Sequence, residues 1–167
     1  MAGKLDPIVE FRQDHRKVRD LLISLAEAIE KGQLDKARAT LGEIDVLVGP
    51  HFRYEEEALY PAMKQLLGEY VDTLIEEHDG AISTAKTAAS LLAKPSISPE
   101  EAKAAAKAAR LLLVHVCNCD GLNILAERLS SEALDSLARR YEEARKAGLP
   151  LIKWADTVRG RPGERQA

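Results

Sequence analysis

Apolar residues recur at steps of three and four through most of the chain, the period of helices that bury one face. The first run, about 7–31, aligns Phe11, His15, Val18, Leu22, Leu25 and Ile29, while Arg12, Asp14, Arg16, Lys17 and Asp20 fill most of the other face. Asp6 followed by Pro7 supplies an N-cap and a first-turn proline, and Gly32 follows the end. A second stretch, about 34–67, places Leu41, Ile44, Val48, His51, Glu55, Leu59 and Met63 in register; Pro50 and Pro61 predict a kink or two segments there. A third, about 68–93, turns Val71, Leu74 or Ile75, His78, Ile82 and Ala85 inward. Ser98-Pro99-Glu100-Glu101 reads as a capping box opening a fourth helix to about 129, with Ala108, Leu111 or Leu112, His115, Cys119, Leu122, and Leu125 or Ala126 inside. A shorter fifth helix, about 131–147, carries Leu134, Leu137 and Tyr141 and stops at Gly148.

These runs predict an all-α fold: an up-down-up-down four-helix bundle at 1–129, an appended short helix at 130–148 packed on or near it, and a partly disordered tail at 149–167. Leu151, Ile152 and Trp154 are expected to dock that tail on the bundle. The length suits one domain with its own core. With 31% charged and 4% aromatic residues, the composition is that of a soluble helical protein. A formal net charge of −3 offers no basic surface for phosphates, so nucleic acid is not an expected partner. The first ten residues lack a signal-peptide core, and no apolar run approaches the roughly 20 residues of a membrane span. No membrane association is expected, and the location expected is cytoplasmic. Cys117 and Cys119, two apart on a helix, point in different directions and cannot readily bridge each other, which suits a reducing compartment.

The chemistry lies in the chain's four histidines, His15, His51, His78 and His115, each on the apolar stripe of a different helix. If a stripe covers about one-third of a helix, chance gives that arrangement in well under about 1% of such chains. Imidazoles on facing helices are how bundles build metal sites. At 1.5 Å per residue, His15 and His78 fall about 14 Å from a common end of the bundle, His115 about 21 Å and His51 about 24 Å, with Glu55 at about 18 Å. The rings span about two turns, suited to a pair of ions. Glu55 shares a face with His51 and sits on an apolar stripe, where an unpaired carboxylate is costly and a cation is the economical partner. Glu56 and Glu57 lie off the stripe and are expected to be solvated.

Asp14-His15-Arg16, the run from His51-Phe52-Arg53-Tyr54-Glu55 through Leu59-Tyr60-Pro61, Glu77-His78, and His115 together resemble the hemerythrin-like, HHE cation-binding family. The resemblance covers about 6–129 and implies a four-helix bundle with a non-haem di-iron centre. By it, His15 and His51 bind one iron, His78 and His115 the other, and Glu55 bridges them, with an oxo or hydroxo bridge beside it; manganese or zinc are alternative metals. Oxygen-carrying hemerythrins have a fifth histidine where this chain has Leu74, so one metal would keep an open position or recruit water or a further protein group. Where the family commonly places a second glutamate on the fourth helix, this chain has Cys119, followed by Asp120. The x4 spacing from His115 to Asp120 is a hemerythrin pattern. A π-bulge near Gly121 would turn Asp120 inward. Asp120 is preferred as the ligand because a hard carboxylate matches iron; Cys119 is the alternative.

The functional expectation is a di-iron protein that binds O2, peroxide or NO for sensing or for oxidative and nitrosative defence, or that handles iron. Leu22, Val48, Leu74 and Leu111 would wall such a site. The alternatives are a peroxide-decomposing or oxidase enzyme, and a structural bundle that is metal-free or binds zinc. Outside the metal residues no general base or nucleophile is apparent, and the sequence names no protein partner.

Overall fold

The computed structural model describes residues 5–159. All regular structure among them is helical: α1 (Pro7–Glu30), α2 (Leu34–Tyr54), a π-helical turn (Glu55–Leu59), α3 (Tyr60–Leu67), α4 (Tyr70–Leu92), α5 (Pro99–Asp120), α6 (Leu122–Ala126), α7 (Ser131–Ala147) and α8 (Leu151–Val158). The local signals act as expected. Asp6 accepts hydrogen bonds from the amides of Ile8 and Val9, Ser98 and Glu101 form a reciprocal capping box, and Gly148 leaves α7 with a left-handed backbone, φ 59°.

Helix α1 packs along both α2 and α5, and α2 also receives α4, α7 and α8. The interior divides into two apolar clusters. One holds Val18, Leu22, Val48, Phe52, Ala81 and Trp154; the other holds Phe11, Tyr54, Leu74, Cys119 and Tyr141. His15, His51 and His78 each lie between a residue of one cluster and a residue of the other on their own helix. They form a polar layer sandwiched between two dry ones.

Several expectations need correction. Helix α2 passes through Pro50 unbroken; Val46, whose carbonyl loses its donor, stands on an exposed side of the helix. The irregularity comes five residues later, as the π turn. At Asp120 there is no π-bulge: α5 is regular to that residue, and Gly121 separates it from α6, so the fourth predicted helix is two pieces. Leu111 is 59% exposed and walls nothing, whereas Leu112 packs inward. The stretch Pro99–Ala126 is also long and apolar enough, by length and composition, to cross a membrane, contrary to the reading that no run is. Its alanines raise its hydropathy, and it packs along α1 as a bundle helix does. The tail forms α8 at its start, with Leu151 and Trp154 buried, and the disorder expected further on falls on 160–167, outside the described residues.

Candidate metal centre

The helices bring the four histidines together in two pairs. His15 and His51 approach with their Nε2 atoms 3.0 Å apart, and the ring centroids of His78 and His115 lie 4.8 Å apart. Glu55, the first residue of the π turn, has no exposed surface and stands between the pairs: Oε2 is 3.0 Å from Nε2 of His78 and 3.6 Å from Nε2 of His51. Neither oxygen of Glu55 accepts an aligned hydrogen bond. A buried carboxylate without such partners is costly. Its orphaned oxygens, facing imidazole nitrogens, are the arrangement a bound cation would complete. Two groups could each hold an ion, with donor atoms mutually within 4.8 Å: His15, His51 and Glu55, and His78, His115 and Cys119.

Each ring also meets an oxygen at its outer nitrogen. Nδ1 of His15 lies 3.4 Å from Asp120, that of His78 2.8 Å from Glu56, and that of His115 2.8 Å from Glu77. Nδ1 of His51 is 3.2 Å from the Tyr141 hydroxyl and 3.5 Å from Asp14. An oxygen on the outer nitrogen fixes tautomer and ring orientation and leaves Nε2 free to ligate. A further layer holds these groups in turn. Tyr141 donates to Asp14 at 2.6 Å, Arg145 binds Asp14 at 3.1 Å, Arg159 binds Glu56 at 2.6 and 3.0 Å, and Asn118 donates to Glu77 at 2.9 Å. Phe11 stacks on His51, and Phe52 on His78 with centroids 3.6 Å apart.

The charges follow from this packing. Burial, helped by the neighbouring His51, pushes His15 down to about 4. Burial alone would raise Glu55 and lower His78, but their mutual attraction, with His51 and Glu56 adding to it, holds Glu55 below and His78 above their ordinary ranges. Burial pushes the Cys119 thiol and the Tyr60 phenol up. Asp14 stays below the usual carboxylate range, because His51, Tyr141 and Arg145 outweigh its burial.

On the fourth histidine-bearing helix, the residue facing the centre is Cys119 and not Asp120. The Cys119 sulfur is buried 3.5 Å from Nε2 of His115, as a step of four on a regular helix dictates. Asp120, with 46% of its side chain exposed, meets the outer nitrogen of His15 instead. Glu56 is not solvated as expected: the π turn adds a residue to the turn and swings it onto His78. Glu57 does lie toward the surface, paired with Arg53 and Arg140. Leu74 is fully buried, and the Tyr60 hydroxyl reaches the same cluster, 3.0 Å from Nε2 of His78 and 3.5 Å from Cys119. Sequence reasoning missed Tyr141, Arg145 and Arg159 as site residues; no spacing links them to histidines about 80 to 130 positions away.

A family profile described as Hemerythrin HHE cation binding domain matches residues 6–122. The chain belongs to the hemerythrin HHE cation-binding family. No curated protein and no solved structure matches it. The family match takes in all four histidines, Glu55, Cys119 and Asp120, and ends before α7 and α8. In this HHE protein, Tyr141, Arg145 and Arg159, which brace two of the histidines through their carboxylates, therefore come from outside the matched segment.

Proposed function

We propose that this HHE protein holds two irons bridged by Glu55, one on His15 and His51 and the other on His78 and His115, within an up-down-up-down bundle. It would bind O2, peroxide or NO for sensing or for oxidative and nitrosative defence. The observation that carries the reading is the buried Glu55 carboxylate, without an aligned hydrogen-bond donor between two pairs of imidazoles. Two ferrous ions held there would supply electrons to such a small oxidant. Around them, the outer-nitrogen carboxylates orient the rings, and Phe11, Phe52 and Leu74 exclude water. Near His78, the Tyr60 hydroxyl stands ready to donate a hydrogen bond.

Elemental analysis of protein purified without chelator tests this, combined with its visible spectrum through anaerobic reduction and return to air. Close to two irons per chain, with absorption that bleaches and returns, is the expected result, lost in His51→Ala. Protein that stays colourless after iron is offered would overturn it. A second reading, zinc at the His78 side, is favoured by the thiol of Cys119, a softer donor than the carboxylate of an all-iron site. Zinc in the same analysis, released by Cys119→Ser, is its signature. Rapid peroxide turnover by the iron-loaded protein would assign enzyme chemistry to the same centre.

A further inference from the structure

Beyond the histidine layer, away from Tyr60 and Cys119, the bundle is underfilled. Inward positions on α4 and α5 that a close-packed bundle would fill with leucine carry Ala88, Ala105 and Ala108. Facing them are Leu22 and Ile29 of α1 and Ile44 of α2, and the four helices line a cavity of about 420 Å³ that opens to solvent past Ser83, Thr87 and Ala104. That volume is within the usual range of small-molecule sites, about 300–1,000 Å³. The lining is almost wholly apolar. Its polar members are Ser83, Thr84, Thr87 and Glu101. Thr84 donates to the carbonyl of Gly80, and Glu101 is engaged by Lys94 and the Ser98 amide. Polar groups sparse enough to hold little water and no free charge select against an ionic ligand.

A smaller cavity of about 50 Å³ shares Leu22, Ile44, Ala85 and Leu112 with the larger one and ends on His15, His51 and His115. We propose that the large cavity is a binding site for an uncharged aliphatic molecule, which lies along the bundle axis with one end directed at the histidine layer. The site needs no metal to form; only its position beside a metal centre rests on the proposed function. It gives the centre a second ligand class, an apolar molecule held next to the oxidant site.

The test titrates the full-length, metal-free protein with the neutral probe N-phenyl-1-naphthylamine and displaces it with decan-1-ol. Saturable binding of one probe per chain, displaced by the alcohol, is expected. Ala108→Phe, which fills the cavity, is expected to weaken binding at least ten-fold, with helical content and metal content after loading unchanged. Ala105→Leu, a smaller filling, is expected to weaken it in the same direction and serves if the Phe variant does not fold. Non-saturable binding, or unchanged affinity in a folded filled variant, overturns the proposal. Failure of the metal reading would appear separately, as missing metal in loaded wild-type protein, with the probe titration still readable.

Discussion

Glu55 carries two carboxylate oxygens where no solvent reaches and no donor is aligned, and its charge is balanced by the His51 and His78 beside it. A residue kept for metal should be a burden without it. Glu55→Gln removes the buried charge, and His78 can then lose its proton, so no charge is stranded. The metal-free variant is expected to be more stable than the parent by about 1–3 kcal/mol in urea denaturation, with its metal content reduced. A less stable variant would show instead that the carboxylate supports the fold. The same scale separates Cys119 from Asp120. Cobalt(II) loading is expected to give a thiolate-to-metal charge-transfer band that Cys119→Ser abolishes and Asp120→Asn retains, because only the sulfur faces the His78 cluster. Absence of the band in the cobalt-loaded parent, or its survival in Cys119→Ser, would reverse that assignment.

Among the elements, the π turn and α8 set the shape of the site. The turn at Glu55–Leu59 brings two consecutive glutamates to one side, Glu55 to both histidine pairs and Glu56 to His78. Helix α8 is seated against α2 at Gly49, where a side-chain carbon would strike the carbonyl of Leu149 and the backbone of Pro150 and Leu151. Gly49→Ala is therefore expected to lower stability by about 1–3 kcal/mol, read by thermal or chemical denaturation, with increased exposure of Trp154 in its fluorescence. Unchanged stability and fluorescence would mean α8 can shift without loss. These two features also mark how far the sequence can be read. The histidine stripes, the Asp6 and Ser98 caps and the His51 to Glu55 step were legible because each depends on residues within a few turns of one regular helix. Glu56 was misplaced because a π turn breaks the angular rule that put it outside; Pro61, in the first turn of α3, announces an interruption there but not which way it turns Glu56. Asp120 stands off the centre for the opposite reason: the bulge required to turn it inward does not form, and the regular helix delivers Cys119.

At the scale of the whole molecule, two long-range clamps from the C-terminal helices hold the two halves of the centre separately. Tyr141 and Arg145 of α7 grip Asp14 beside His51, and Arg159, just after α8, grips Glu56 beside His78. Arg159 is itself anchored by Asp79 and by the Trp154 ring, 5.0 Å from its guanidinium carbon. Since outer partners of metal-binding histidines alter affinity by about 10–100-fold, each clamp should act on its own ion. Tyr141→Phe removes the hydroxyl from His51 and Asp14, and is expected to speed loss of the ion on the His15 side. Arg159→Gln frees Glu56 and is expected to speed loss of the ion on the His78 side. Release of metal to a chromophoric chelator should then show two phases, one accelerated in each variant, and the double variant should combine them nearly additively because the clamps share no partner. Acceleration of both phases by either substitution would mean that the helices act through general loosening of the bundle. Selective acceleration would make α7 and α8, which lie beyond the family's matched segment, working parts of the metal centre.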